Sequence, residues 1–292
     1  MFLIGENINI MSKTIGPAMK ERHPKPIQEM ALAEVAAGVD YLDLNIGPAR
    51  RDGDKLMEWI VNVVQEVTDA PLSLDTTNTV AMEAGLKLCK SKAIINSISL
   101  QPARLETELP LVKKYNASMI GLLWGVEGMP RDANERCALA VELVYKANEM
   151  GIPNEDIWID PIVSPISVEI NQVKACVEFM TMLSEIAPGC KSIVGLSNVS
   201  NGAPAHLRPY LNRTYLVMLM KHGLYSAIAD AYDSELIRVA KGQMPEIVNL
   251  VWRMMDGEQP DFASLTTKEL EYAKTVRVLT GRSLYSHSWL EI

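Results

Sequence analysis

At seven places in this 292-residue chain an acidic or carboxamide side chain closes a short apolar run: Glu6 with Asn7, Asp43 with Asn45, Asp75, Asn96, Asp160, Asn198, and Asp230. Carboxylates accept two hydrogen bonds side by side, and a carboxamide both donates and accepts. Gathered in one cavity with little positive charge, such groups suit a flat heterocycle with N–H donors along one edge better than a phosphate. Each Asp or Asn alone has a plainer use as the N-cap of a following helix. That use fits Asn78, Asp132 and Asp233, which stand just before helical patterns. It fits Asp75 and Asp160 less well, because Thr76-Thr77-Asn78 follows the first, and Pro161 and a long loop follow the second.

The elements that must position these side chains repeat: an apolar run, a polar end, a turn, then helical periodicity. Strands are expected at 2–6, 41–45, 72–75, 93–97, 118–123, 157–160, 192–196 and 227–230. Helices are expected between and after them, at 26–37, 55–68, 79–89, 104–114, 134–150, 170–186, 211–222 and 234–239. Gly38, Gly151 and Gly223 stand where helix C-caps favour a left-handed residue. Eight βα units without a Gly-rich nucleotide loop predict a TIM (β/α)8 barrel over residues 1–240, with a helical extension over 241–292. Helices at 246–255 and 267–280, with Trp252, Met254, Met255, Leu279, Tyr285 and Trp289, would cover the barrel or build a subunit interface. In such a barrel, ligands meet the C-terminal ends of the strands, where the polar closures fall. Strict alternation in Leu42-Asp43-Leu44-Asn45 turns Asp43 and Asn45 to one side and the leucines to the other. A 2-amino-4-oxo pterin presents the donor edge this mouth would accept.

Composition removes several other functions. A formal charge of -8 argues against a nucleic-acid footprint or an anionic membrane surface. No apolar run is long enough to span a bilayer, and the opening Met1-Phe2-Leu3-Ile4-Gly5-Glu6 lacks a signal-peptide pattern, so a cytoplasmic protein is expected. Cys89, Cys137, Cys176 and Cys190 stand far apart without C-x-x-C spacing, as suits free thiols in a reducing compartment. G-x-G-x-x-G and Walker A patterns are missing, which lowers dinucleotide binding and P-loop chemistry. His23, His206, His222 and His287 are isolated from the cysteines, so no bound metal is expected.

Six motifs in order resemble the pterin-binding barrels: Ile4-Gly5-Glu6-Asn7-Ile8-Asn9, Leu42-Asp43-Leu44-Asn45-Ile46-Gly47-Pro48, Leu74-Asp75-Thr76-Thr77-Asn78, Ile95-Asn96-Ser97, Ile159-Asp160-Pro161 and Gly195-Leu196-Ser197-Asn198-Val199-Ser200. Within that group the chain is most similar to the methyltetrahydrofolate:corrinoid methyltransferases, and its length resembles the second methyltransferase of anaerobic O-demethylase systems. The resemblance implies methyl transfer between N5 of tetrahydrofolate and cobalt. It sets Asp75, Asn96 and Asp160 on the pterin and Asn198 near N5, with Asp43 a candidate proton source. Cobalamin would arrive in trans on a corrinoid protein, since no Asp stands two positions before any His, and the enzyme would be a homodimer. Dihydropteroate synthase is the alternative, but its lysine is missing from Ser197-Asn198-Val199-Ser200-Asn201-Gly202 and its Ser/Thr-Arg-Pro pattern from Ala49-Arg50-Arg51-Asp52-Gly53-Asp54. A non-catalytic folate-binding scaffold is a further alternative. Arg208 and Arg213 are expected at the surface or near a glutamyl tail.

Overall fold

The computed structural model describes residues 1–291; the expected extension ends at Ile292, which lies outside them. Eight parallel strands close in sequence order into a barrel. They are β1 (Phe2–Gly5), β2 (Tyr41–Asn45), β3 (Leu72–Asp75), β4 (Ile94–Ser99), β5 (Ser118–Leu122), β6 (Ile157–Asp160), β7 (Lys191–Gly195) and β8 (Ser226–Ala229). The register sets Asn45 beside Asp75 and Asp75 beside Asn96, so the polar closures of three consecutive strands share one level of the rim.

The outer layer comprises α1 (Ile15–Glu21), α2 (Pro24–Ala37), α3 (Gly53–Gln65), α4 (Thr79–Leu86), α5 (Pro102–Lys114), α6 (Ala133–Glu149), α7 (Ile170–Ile186), α8 (Arg208–Met220) and α9 (Ser234–Ala240), followed by α10 (Pro245–Met255) and α11 (Thr267–Leu279). No helix among the described residues is long and apolar enough to cross a membrane.

Strand alternation divides two apolar cores. Leu42, Leu44, Leu72, Leu74, Ile157 and Ile159 face the helices in the larger one. Ile4, Ile94, Ile120, Trp158 and Ile193 fill the barrel interior. Its lower end is plugged by Tyr225, which stacks on Phe2 and meets Trp158 edge to face, with Lys191 Nζ 5.0 Å from the Trp158 ring centroid. With the lower barrel filled by side chains, the upper rim is left to bind ligands.

Helix α1 does not follow from the sequence pattern, because Gly16 and Pro17 read as breakers. A proline in the first turn gives up an N–H that has no partner inside the helix. Gly16 is required by close approach: a Cβ there would lie 2.2 Å from the Ile10 carbonyl oxygen. Strand β4 runs two residues past its expected end at 97, through a register shift between Ile95 and Ile98. Asn78, Asp132 and Asp233 are N-caps, whereas α7 is capped by Glu169, so neither Asp75 nor Asp160 serves that purpose.

Helices α10 and α11 pack against α8. Trp252 Nε1 donates to the Val217 carbonyl at 2.9 Å, and the buried Trp289 donates to Thr275 Oγ1 at 3.1 Å. The Trp252 bond ties the extension to α8, and the Trp289 bond closes the extension on itself.

Candidate functional site

The strand ends bring Asp43, Asp75, Asn96, Asp160 and Asn198 to the same mouth, at different depths. Asp43 lies lowest, 3% exposed, and its Oδ1 accepts from Ser73 Oγ at 2.7 Å and from Asn96 Nδ2 at 3.0 Å. Asn96 is thereby oriented by Asp43. Asn45 donates to Asp75 Oδ2 while its own Oδ1 accepts from the Gly47 N–H, so β2 and β3 are cross-linked at the rim. Asp160 is 8% exposed and accepts from the Ile162 N–H at 2.8 Å. Asn198 is exposed in the turn after β7, with Oδ1 accepting from Asn201 Nδ2 at 3.2 Å.

Burial dominates the electrostatics. It raises Asp160 to about 6 against the Ile162 N–H and the Arg136 guanidinium, and raises Asp43 to about 6 against the bonds from Ser73 and Asn96. Asp75 is pushed well above the usual carboxylate range by burial and by nearby Asp43. A ligand edge that donates N–H groups to these acids favours their ionised forms.

Asn7 and Asp230 belong to the polar set but satisfy one another: Asn7 Nδ2 donates to Asp230 Oδ1 at 2.8 Å, and Asn7 Oδ1 accepts from the Ala231 N–H at 3.0 Å. They close the seam between β1 and β8. Behind them the buried Glu34 accepts from the Asn7 N–H at 2.9 Å.

Several supporting side chains escape a reading based on strand ends. Arg104 on α5 donates to the carbonyls of Thr77 and Ser97 at 2.9 and 2.8 Å and pairs with buried Glu108, bracing the loops after β3 and β4. Arg136, wholly buried, donates to the Pro161 carbonyl and to Gln172 Oε1, both at 2.7 Å, and fixes the loop after Asp160. Ser73 was legible in principle, since Leu72-Ser73-Leu74-Asp75 alternates as Leu42-Asp43-Leu44-Asn45 does.

Glu6, Ser197, Arg208, Asn212, Arg213 and Asp230 line a cavity of about 350 Å³ at one side of the mouth. Arg213 is no surface residue: it is 19% exposed and paired with Asp233 and Glu235. Arg208 donates to Ser200 Oγ at 3.0 Å and also lines this cavity. Among the described residues no cluster of His, Cys, Asp and Glu is arranged to hold a metal ion.

In sequence and in fold the chain is similar to known proteins. The sequence profile described as pterin binding enzyme matches residues 11–230. The chain belongs to the pterin binding enzyme family. It is similar to a methylcorrinoid:tetrahydrofolate methyltransferase of Eubacterium limosum, at 26% identity over 81% of this chain and 88% of the relative. It is equally similar, at 26% identity over 79% of this chain, to a methionine synthase of Mycobacterium tuberculosis, of which it spans 20%. In fold it matches dihydropteroate synthase of Thermus thermophilus, at TM-score 0.62 and 20% identity over 84% of this chain and 93% of the other. The synthase of Xanthomonas albilineans, solved with 7,8-dihydropteroate, gives TM-score 0.59 and 16% identity over 83% and 92% of the two chains. At these identities the two synthases establish the family's barrel for this chain.

Proposed function

We propose that this family member moves a methyl group between N5 of tetrahydrofolate and the cobalt of a separate corrinoid protein. The observation that carries the choice is the turn after β7, where Ser197 to Gly202 offers Asn198 and no lysine. The name of the Eubacterium limosum relative supports the same chemistry, and the direction from methylcorrinoid to tetrahydrofolate.

The pterin lies across the rim. Asp160 accepts from its 2-amino and N3–H groups, while Asp75 and Asn96 take the N8 and N1 side. Asn198 meets N5, where its amide offers either an oxygen or hydrogens as protonation changes. Asp43, with two donors already on one oxygen, suits an orienting role beneath Asn96 better than the proton-source role expected of it. N5 of a tertiary amine leaves poorly unless protonated, so the pocket must support a proton there.

Cobalamin comes as the partner's cargo. Arg50 and Arg51 are exposed in the loop between β2 and α3, which is tied down by Asn78 Nδ2 donating to the Ala49 carbonyl at 2.9 Å. This loop is the proposed docking edge for the corrinoid protein. Reversing both charges should slow transfer involving the protein-bound corrinoid and spare free cobalamin. Equal slowing with both would reassign the loop to the folate pocket. We further propose a cytoplasmic homodimer working in O-demethylation.

The competing reading is tested by adding dihydropterin pyrophosphate and p-aminobenzoate. The expected outcome is no dihydropteroate; its formation would reverse the assignment.

A further inference from the structure

We propose that Glu6 and Ser197 form a proton-holding pair for N5 of the folate, in which Glu6 stores the proton and the Ser197 hydroxyl relays it. The inference rests on the methyl-transfer reading above.

Both residues line the 350 Å³ cavity, and Ser197 Oγ donates to Glu6 Oε1 at 2.6 Å. Ser197 immediately precedes Asn198, and the two share one turn that returns over Gly195, where a Cβ would lie 3.1 Å from Asn198 Nδ2. Each of the other rim acids accepts from a backbone or carboxamide N–H, which has no proton to relay. Asp160 holds the Ile162 N–H, Asp75 holds Asn45, and Asp230 holds Asn7 and the Tyr232 N–H. Asp43 also has a hydroxyl partner, Ser73, but that serine is fully buried below the mouth. Glu6 is the rim acid whose hydroxyl partner reaches the cavity.

A hydroxyl both donates and accepts, so the pair has two arrangements. With Glu6 ionised, the serine hydrogen points at the carboxylate. With Glu6 protonated, its O–H can donate to Ser197 Oγ and free the serine hydrogen to turn toward the cavity. Both forms are accessible near neutrality: burial, Asp230 and Asp43 raise Glu6 to about 7 against the Ser197 bond and Arg208. Glu34 on α2 adds a further acid neighbour when ionised.

The step balances with one proton. When methyl leaves methyltetrahydrofolate, the N5–carbon bond breaks with its electron pair staying on N5, and cobalt(I) supplies the pair of the new cobalt–carbon bond. N5 takes a proton from Ser197 Oγ, which takes the Glu6 proton, and the resulting carboxylate is reprotonated by solvent through the cavity. In reverse, N5 attacks the methyl group, cobalt keeps the bond pair, and the N5 proton passes through Ser197 to ionised Glu6.

Single-turnover transfer with free cobalamin, followed in both directions across neutrality, tests the pair. The wild-type rate should fall as pH rises through about 7 when methyltetrahydrofolate is the donor, and fall as pH drops through about 7 in reverse. Glu6→Gln keeps an acceptor for Ser197 and should remove both limbs, with a rate loss of about 10²-fold and folate affinity unchanged within about threefold. Ser197→Ala should slow transfer about tenfold and keep the limbs, since water can replace the relay. Limbs that persist in Glu6→Gln, or matched losses of affinity and rate, would overturn the proton-holding role. A wild-type chain inactive in both directions would instead overturn the methyl-transfer reading.

Discussion

Asp160 and Asn198 sit on the same rim and should fail differently. Asp160→Asn removes a charge-assisted acceptor from the pterin edge, so folate binding should weaken by about 1.5–3 kcal/mol, roughly 10- to 150-fold, with the fold retained. A titration with unchanged affinity would take Asp160 out of the pocket. Asn198→Ala should leave binding nearly intact and lower the single-turnover rate by about 10²- to 10³-fold, as removal of an oxyanion-hole donor does. A normal rate would defeat the N5 assignment. Their place on the rim was legible because each closes an apolar run that reads as a barrel strand, with no helix directly after it to cap. Arg104, Arg136 and Glu34 were not legible. They lie on helices, and what they hold is backbone brought close only by barrel closure.

Helix and strand identity followed from periodicity, and the Leu42 to Asn45 alternation alone indicated which side chains enter the mouth. Two features lay beyond pattern. Helix α1 depends on Gly16 meeting the Ile10 carbonyl, and the extension of β4 depends on its pairing with β5. The turn after β7 offers a test at the same scale. Gly195 has φ of -75°, which alanine adopts freely, but its Cβ would press on Asn198 Nδ2. Gly195→Ala should therefore keep the melting temperature and slow transfer about tenfold, because small misplacements of a positioned group are costly. An undiminished rate would mean that Asn198 need not hold this position.

At the scale of the whole molecule, the extension beyond Ala240 is proposed to be one cooperative unit with the barrel, because it covers α8. Ending the chain there should abolish the cooperative thermal transition, whereas a truncated barrel that melts normally would make the extension separable. Buried acids set the pH response: burial raises Glu34 to about 8 and Glu6 and Glu108 to about 7, all above their unfolded values near 4.5. Between those limits the folded state binds more protons than the unfolded, so stability falls as pH rises, by about 1.4 kcal/mol per unit for each group. Denaturant midpoints should be higher near pH 6 than near pH 8; the opposite order would show these acids ionised in the fold. The central claim is tested most directly by mixing the protein with methyltetrahydrofolate and cob(I)alamin and following the cobalamin spectrum. Enzyme-dependent conversion to methylcobalamin is the predicted result, and tight folate binding without conversion would contradict it and leave a folate-binding scaffold.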